Sequence, residues 1–180
     1  MTSVKFVVAG GFGVGKTTFV GAISEITPLT TEAAMTTESL GVDDTSLVAA
    51  KTTTTVAMDF GRITVDDDLV MYLFGTPGQE RFGFMWDDLC MGAIGAVVLA
   101  DTRRLADCFD AVDYFETRKV PFVVGMNRFE GSHRHSIPDI REALGLTDDV
   151  PIVDCDARHK DSVKSVVISL LEHLVRRAGR

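Results

Sequence analysis

Between a short apolar run, Val4–Ala9, and a stretch with helical spacing, Lys16–Ile26, lies Gly10-Gly11-Phe12-Gly13-Val14-Gly15-Lys16-Thr17. This is G-x-x-x-x-G-K-[ST], and no other feature of the chain narrows its fold so far. The glycines, Gly11, Gly13 and Gly15 among them, let the backbone curl until successive N–H groups from Gly13 through Val14 to Thr18 face one point. The helix that follows adds the positive end of its dipole. Such a loop holds phosphate. Lys16 brings a point charge to the outer phosphates of a nucleotide, and the Thr17 hydroxyl is a ligand for Mg²⁺. A chance match somewhere in a chain of this length has odds on the order of one per cent, and placement between strand and helix lowers them.

The rest of the chain continues the alternation. Leu69–Phe74, Ala96–Leu99, Phe122–Met126 and Ile152–Val153 are short, β-branched or aromatic runs that read as buried strands. Leu105–Thr117, Asp139–Leu144 and Ser162–Arg177 have helical periods, the last with Val163, Val166, Val167, Leu170, Leu171, Leu174 and Val175 on one face. Asp161 or Ser162 is the expected cap of that helix, and Gly145 the left-handed stop of the one before it. Thr55–Val65 and Leu69–Phe74, joined by Asp66-Asp67-Asp68, read as one antiparallel hairpin. The expectation is an α/β fold of three layers, a mostly parallel sheet with one antiparallel hairpin strand, in one domain over residues 1–180. Residues Thr27–Thr54, rich in Thr, Ser, Ala and Asp and without a sustained period, read as a long functional or mobile loop.

With 180 residues, 46% of them hydrophobic, the chain is long enough to bury a core without staples. Its 18 Lys and Arg against 26 Asp and Glu give a net charge of −8, which argues against a nucleic-acid binder. It leaves a nucleotide binder open, since one lysine and a row of amides hold a triphosphate. Cys90, Cys108 and Cys155 are scattered and odd in number, which reads as reduced thiols in a cytosol. No window matches a membrane span, Thr2 is not a myristoylation site and the C-terminus has no prenylatable cysteine. The expectation is a soluble, cytoplasmic chain with no direct membrane anchor, recruited to membranes only through partners.

A phosphate-binding chain of this size is a GTPase, a nucleoside monophosphate kinase or a small ATPase, and Gly75-Thr76-Pro77-Gly78-Gln79-Glu80-Arg81 separates them. Here the sequence resembles the Ras-like small GTPases, whose segment reads D-T-A-G-Q-E. The stretches AGGFGVGKTTFVGAISE, KTTTTVAMDFG, YLFGTPGQERF, MWDDL and LADTRRLADCFDAVDYFE resemble more particularly the actinobacterial conservon GTPases, relatives of the bacterial polarity GTPase MglA. The resemblance implies GTP and GDP as ligands, Mg²⁺ as cofactor, and two companions: a roadblock-fold regulatory protein and a sensor-kinase-like membrane protein. It implies that the Gly78 amide senses the γ-phosphate, that Gln79 orients the attacking water, and that Thr55 closes on Mg²⁺ and γ-phosphate. Thr52, Thr53 and Thr54 are neighbours, so the threonine register stays open by one.

Asn127-Arg128-Phe129-Glu130 takes the place of the family's N-K-x-D, and Asp156-Ala157-Arg158 that of S-A-K. By the resemblance, Glu130 accepts hydrogen bonds from guanine N1 and N2, with one methylene more than aspartate. Arg128 lays its stem over the base, and the Ala157 N–H reaches guanine O6 with Arg158 beside it. Three departures point the other way. Gly75 stands where the family has an aspartate that holds Mg²⁺ through water, Phe12 where a glycine often leaves room for an arginine finger, and the loop between Thr17 and Thr55, 38 positions apart, is long. The expected function is therefore a GTP-binding switch with slow, partner-dependent hydrolysis, the rival being a nucleotide-stabilised scaffold without turnover. His133, His135, His159 and His173 read as solvated. Phe82, Phe84, Met85 and Trp86 divide evenly between helix packing and a partner surface. Arg62, Arg81, Arg103 and Arg104 are weighed as a catalytic arginine in cis, with surface solvation the favoured role of each.

Overall fold

A computed structural model describes the backbone of residues 1–27, 29–36, 53–78 and 85–179, and the side chains of all of these but 29–36 and 53–57. Seven strands form one sheet: β1 (Thr2–Gly10), β2 (Leu29–Thr36), β3 (Thr53–Asp66), β4 (Leu69–Gly75), β5 (Ala93–Ala100), β6 (Phe122–Asn127) and β7 (Ile152–Cys155). Their order across the sheet is β2-β3-β4-β1-β5-β6-β7. From β4 to β7 every neighbouring pair is parallel. β3 runs antiparallel to β4 and to β2.

Among the described residues five α-helices cover the two faces: α1 (Lys16–Ile23), α2 (Trp86–Cys90), α3 (Phe109–Thr117), α4 (Ile137–Leu144) and α5 (Lys160–Ala178). Side-chain alternation decides which face each residue serves. Phe6, Val8, Val97, Leu99 and Val123 pack with Phe19 and Val20 of α1 and Val163, Val166 and Leu170 of α5. Val7, Ala9, Ala96, Val98 and Val124 pack with Val112 and Phe115 of α3 and Ile140 and Leu144 of α4. The three layers, α/β class and mostly parallel sheet are as the sequence predicts. Among the described residues no helix is long and apolar enough to cross a membrane, and all three cysteines are free and buried.

Four details differ. Part of the segment read as a loop, Leu29–Thr36, is a strand that extends the antiparallel hairpin into three strands. A polar edge strand of Thr, Ala and Glu has neither an apolar run nor a clean alternation to announce it. The helical period begun at Leu105 is split, a 3-10 turn over Thr102–Cys108 leading into α3. α5 starts at Lys160 after His159, so neither Asp161 nor Ser162 caps it. Ser162 Oγ instead accepts from the Asp156 N–H at 2.8 Å. Near its end α5 buries His173, at 3% exposure, while Val175 stands 73% exposed. His173 is therefore a core residue.

Candidate functional site

The parallel strands end together on one edge of the sheet. β1 lies between β4 and β5, where the chain's crossovers diverge, and this is where open α/β sheets bind ligands. The loop after β1 enters α1 through Gly15, whose φ of 107° lies in the left-handed region. A Cβ on Gly15 would stand 2.5 Å from Asn127 Nδ2, so both the turn and the packing require glycine there. No side chain caps α1, which leaves the N–H groups at its start to a ligand. Lys16 is buried, and its Nζ donates to the carbonyls of Gly10 at 2.8 Å and Gly11 at 2.7 Å. Burial lowers its pKa to about 8, against the pull of the Asp59 carboxylate, which raises it. Gly78 closes over the same ammonium: a Cβ on it would lie 2.6 Å from Lys16 Nζ and 2.9 Å from Phe12 Cα.

Asp59 is the residue that sequence reasoning passed over. It is 8% exposed, and its Oδ2 accepts from Thr17 Oγ1 at 2.7 Å. Phe60 pairs with Phe74 across β3 and β4, so the next rung sets Asp59 beside Gly75. A Cβ built on Gly75 would meet Asp59 Cβ and Oδ2, each at 3.1 Å. The Asp59 carboxylate of β3 thus lies in the space that glycine leaves on β4. The sequence hides this pairing: the register shifts between Thr64 and Asp66, so counting one for one from the Asp66–Leu69 pair would set position 59 opposite 76.

At the far end of the cleft Asn127 joins three segments. Its Nδ2 donates to the Val14 carbonyl at 2.8 Å, and its Oδ1 accepts from the Ala157 N–H at 3.0 Å. The Ala157 amide, expected to face a base, is engaged by Asn127. The Arg128 guanidinium lies 2.5 Å from Asp154 Oδ1. Glu130 is exposed on the loop after β6. Arg158 reaches back to Asp156 through Nε at 2.9 Å and Nη2 at 2.8 Å. That pairing holds the Asp156 carboxyl well below the usual range and raises Arg158, with the Glu130 charge a smaller contribution.

The structure therefore links Lys16 to Gly11 and Gly78, and Asn127 to Val14, Gly15 and Ala157, with Gly13 in the same loop and Thr17 and Thr18 in the first turn of α1. It does not bring Thr55 to Thr17. Residue 55 pairs with Ala34 within the β2–β3 ladder, four positions and about 13 Å of strand from Asp59. Gln79 lies outside the described residues, as do Phe82 and Phe84. Trp86 packs on α3, 5.2 Å from the Tyr114 ring and 6.4 Å from Phe115. Phe12 is 63% exposed and borders a cavity of about 770 Å³ shared with Pro77, Gly78 and Asp107. Arg104 Nη2 donates to the Phe12 carbonyl at 2.8 Å.

A sequence profile described as "conserved hypothetical ATP binding protein" matches residues 8–177. An uncharacterized protein of Methanocaldococcus jannaschii is 28% identical over 172 residues, which span 94% of this chain and 96% of the relative. Among solved structures, the FeoB G-domain from Methanococcus jannaschii superposes with a TM-score of 0.63 at 13% identity, covering 97% of this chain and 99% of its own. The cytosolic domain of the T. maritima FeoB iron transporter gives 0.65 at 14%, over 96% of this chain and 64% of its own. These likenesses establish the fold, a P-loop G domain. The profile match spans nearly the whole length, and the chain belongs to the conserved hypothetical ATP-binding protein family.

Proposed function

We propose that this chain is a guanine-nucleotide switch with slow hydrolysis, in which Asp59 does the work of the acid absent at Gly75. The observation that carries the reading is the Thr17–Asp59 hydrogen bond at the mouth of the phosphate loop. A hydroxyl and a carboxylate side by side are hard oxygen donors suited to Mg²⁺, which takes one or two protein oxygens and completes its shell with phosphates and waters. Thr76 Oγ1, the next side chain past Gly75, is buried without a hydrogen-bond partner among the described residues, which a bound water would satisfy. When bound, Mg²⁺ offsets negative charge on the β- and γ-phosphates.

The chain's own groups then divide the work. Amides at the start of α1 and the Lys16 ammonium hold the phosphates, and by the Ras-like resemblance the Gly78 amide registers the γ-phosphate. Gln79, by the Ras-like resemblance, orients water for attack on the γ-phosphorus; the bond to the bridging oxygen breaks, leaving GDP and phosphate. Glu130 and the Ala157 loop favour guanine, whereas the family description names ATP. Competition binding decides: GTP excludes ATP strongly if Glu130 accepts from N1 and N2, because adenine offers no donor at either position. Equal affinities would defeat the guanine reading. The conservon resemblance supports a roadblock-fold partner and a sensor-kinase-like membrane partner, the latter drawing a cytoplasmic chain to the bilayer.

The second reading is a scaffold that binds nucleotide without turnover. It is favoured by the β2–β3 ladder, which holds residue 55 away from Thr17. Single-turnover hydrolysis with and without a roadblock-type partner separates the two. Phosphate release that the partner accelerates supports the switch, and none in either condition supports the scaffold.

A further inference from the structure

We infer that Asp101 and Arg103 form a positioning pair for base recognition, acting on Glu130 through Phe129. The inference rests on the guanine reading above and adds residues that no base motif contains.

Asp101 follows β5 and is 3% exposed. Its carboxylate accepts from the Arg103 N–H at 2.9 Å, from Arg103 Nε at 3.0 Å and from Nη2 at 2.7 Å. A buried carboxylate held by a fork of this kind fixes the plane of the guanidinium as well as its position. That guanidinium lies over the Phe129 ring, 4.2 Å from its centroid. Phe129 is the residue between Arg128 and Glu130 in the base loop, and its carbonyl is held from the other side by Ser132, through N–H at 3.2 Å and Oγ at 2.7 Å. Thr102 Oγ1 adds a longer contact to the His133 carbonyl at 3.4 Å. The loop is thus gripped on both sides of Glu130, and Gly131, with φ of 74°, makes the turn between the grips.

Such a clamp has a purpose that the sequence states. Glutamate carries its carboxylate one methylene further out than aspartate, so bidentate contact with N1 and N2 of guanine requires the backbone to be set back by a defined amount. A stacked, doubly hydrogen-bonded guanidinium supplies a rigid stop for the ring beside it. The competing account is that Arg103 merely neutralises Asp101. In that case its loss weakens the fold or weakens every nucleotide alike.

The test measures affinities for GTP, GDP and ITP by calorimetry on the full chain with Mg²⁺. ITP lacks only the 2-amino group, so the GTP:ITP ratio reads Glu130, while the GTP:GDP ratio reads the phosphate end. For Arg103→Ala the GTP:ITP ratio should fall by about fivefold with GTP:GDP unchanged, the reach of one stacked guanidinium. Phe129→Leu should do the same, and the double variant should lose no more than either single one. Arg103→Lys, with charge but no plane, should not restore the ratio. An Arg103→Ala protein that keeps its GTP:ITP ratio, or loses affinity for all three ligands in proportion, overturns the inference. Wild-type protein that binds GTP and ITP equally overturns the guanine reading itself, and the clamp with it.

Discussion

Lys16 stands buried against two carbonyl oxygens, and desolvation brings its pKa from 10.5 to about 8. A bound triphosphate favours the charged form, so nucleotide binding should take up a proton above pH 8. Affinity should then fall as pH rises past 8, by up to about tenfold per unit. Calorimetry in two buffers of different ionisation enthalpy detects the uptake. The sign for the unliganded fold is opposite. Between 8 and 10.5 the unfolded chain binds more protons, so this lysine makes the fold gain stability as pH rises through that window. Lys16→Ala should lower nucleotide affinity by at least tenfold, about 1.4 kcal/mol. Asp59→Asn should reduce the Mg²⁺ enhancement of nucleotide affinity by about tenfold, the usual effect of removing a group that orients a metal's shell. Gly75→Asp alone sets a Cβ 3.1 Å from Asp59 with a second carboxylate beyond it, and should destabilise the fold. Joined to Asp59→Gly it should recover part of the lost Mg²⁺ dependence, which a magnesium titration reads directly.

At the scale of elements, legibility follows how strongly each segment depends on its own residues. α4 was legible from Asp139 to its stop at Gly145, but it begins two residues earlier, at Ile137, where Ser136 caps it and Pro138 lies in its first turn. The Ser136 hydroxyl accepts from the Asp139 N–H at 3.3 Å, and Gly145 takes φ of 63° at the helix end. Ser136→Ala should therefore cost about 1 kcal/mol, read as a fall of about 2–4 °C in melting temperature for a chain of this size. The β3–β4 hairpin was equally clear from its three aspartates and the apolar runs beside them. β2 was not, because its place is set by the ladder with β3 rather than by its own composition. The cap of α5 was misplaced because Ser162 serves the Asp156 backbone, a partner six positions upstream that only the folded loop brings near. For the site, the phosphate loop was legible as a contiguous motif. Asp59 and Arg103 were not, since each acts across space on a segment far away in sequence.

At the scale of the whole molecule, β1 sits inside the sheet with helices on both faces, so the phosphate loop rises from the most enclosed strand. The loops that carry Glu130 and Ala157 follow β6 and β7, two and three strands away, and Asn127 alone among the described side chains bonds to both the phosphate loop and the loop after β7. Asn127→Ala should therefore weaken GTP and ATP alike, by about tenfold or more, whereas Glu130→Ala should erase only the preference between them. Competition binding with both nucleotides tells the two effects apart. The same amide has a consequence for a ligand cut in two. Guanosine and inorganic pyrophosphate share no bond, yet on the guanine reading each half would lie beside a segment that one end of Asn127 holds. Whatever stills Asn127 from the nucleoside side readies the Val14 turn for the anion, and reciprocity requires the reverse. The two fragments should bind cooperatively to this protein and independently to one that lacks the amide.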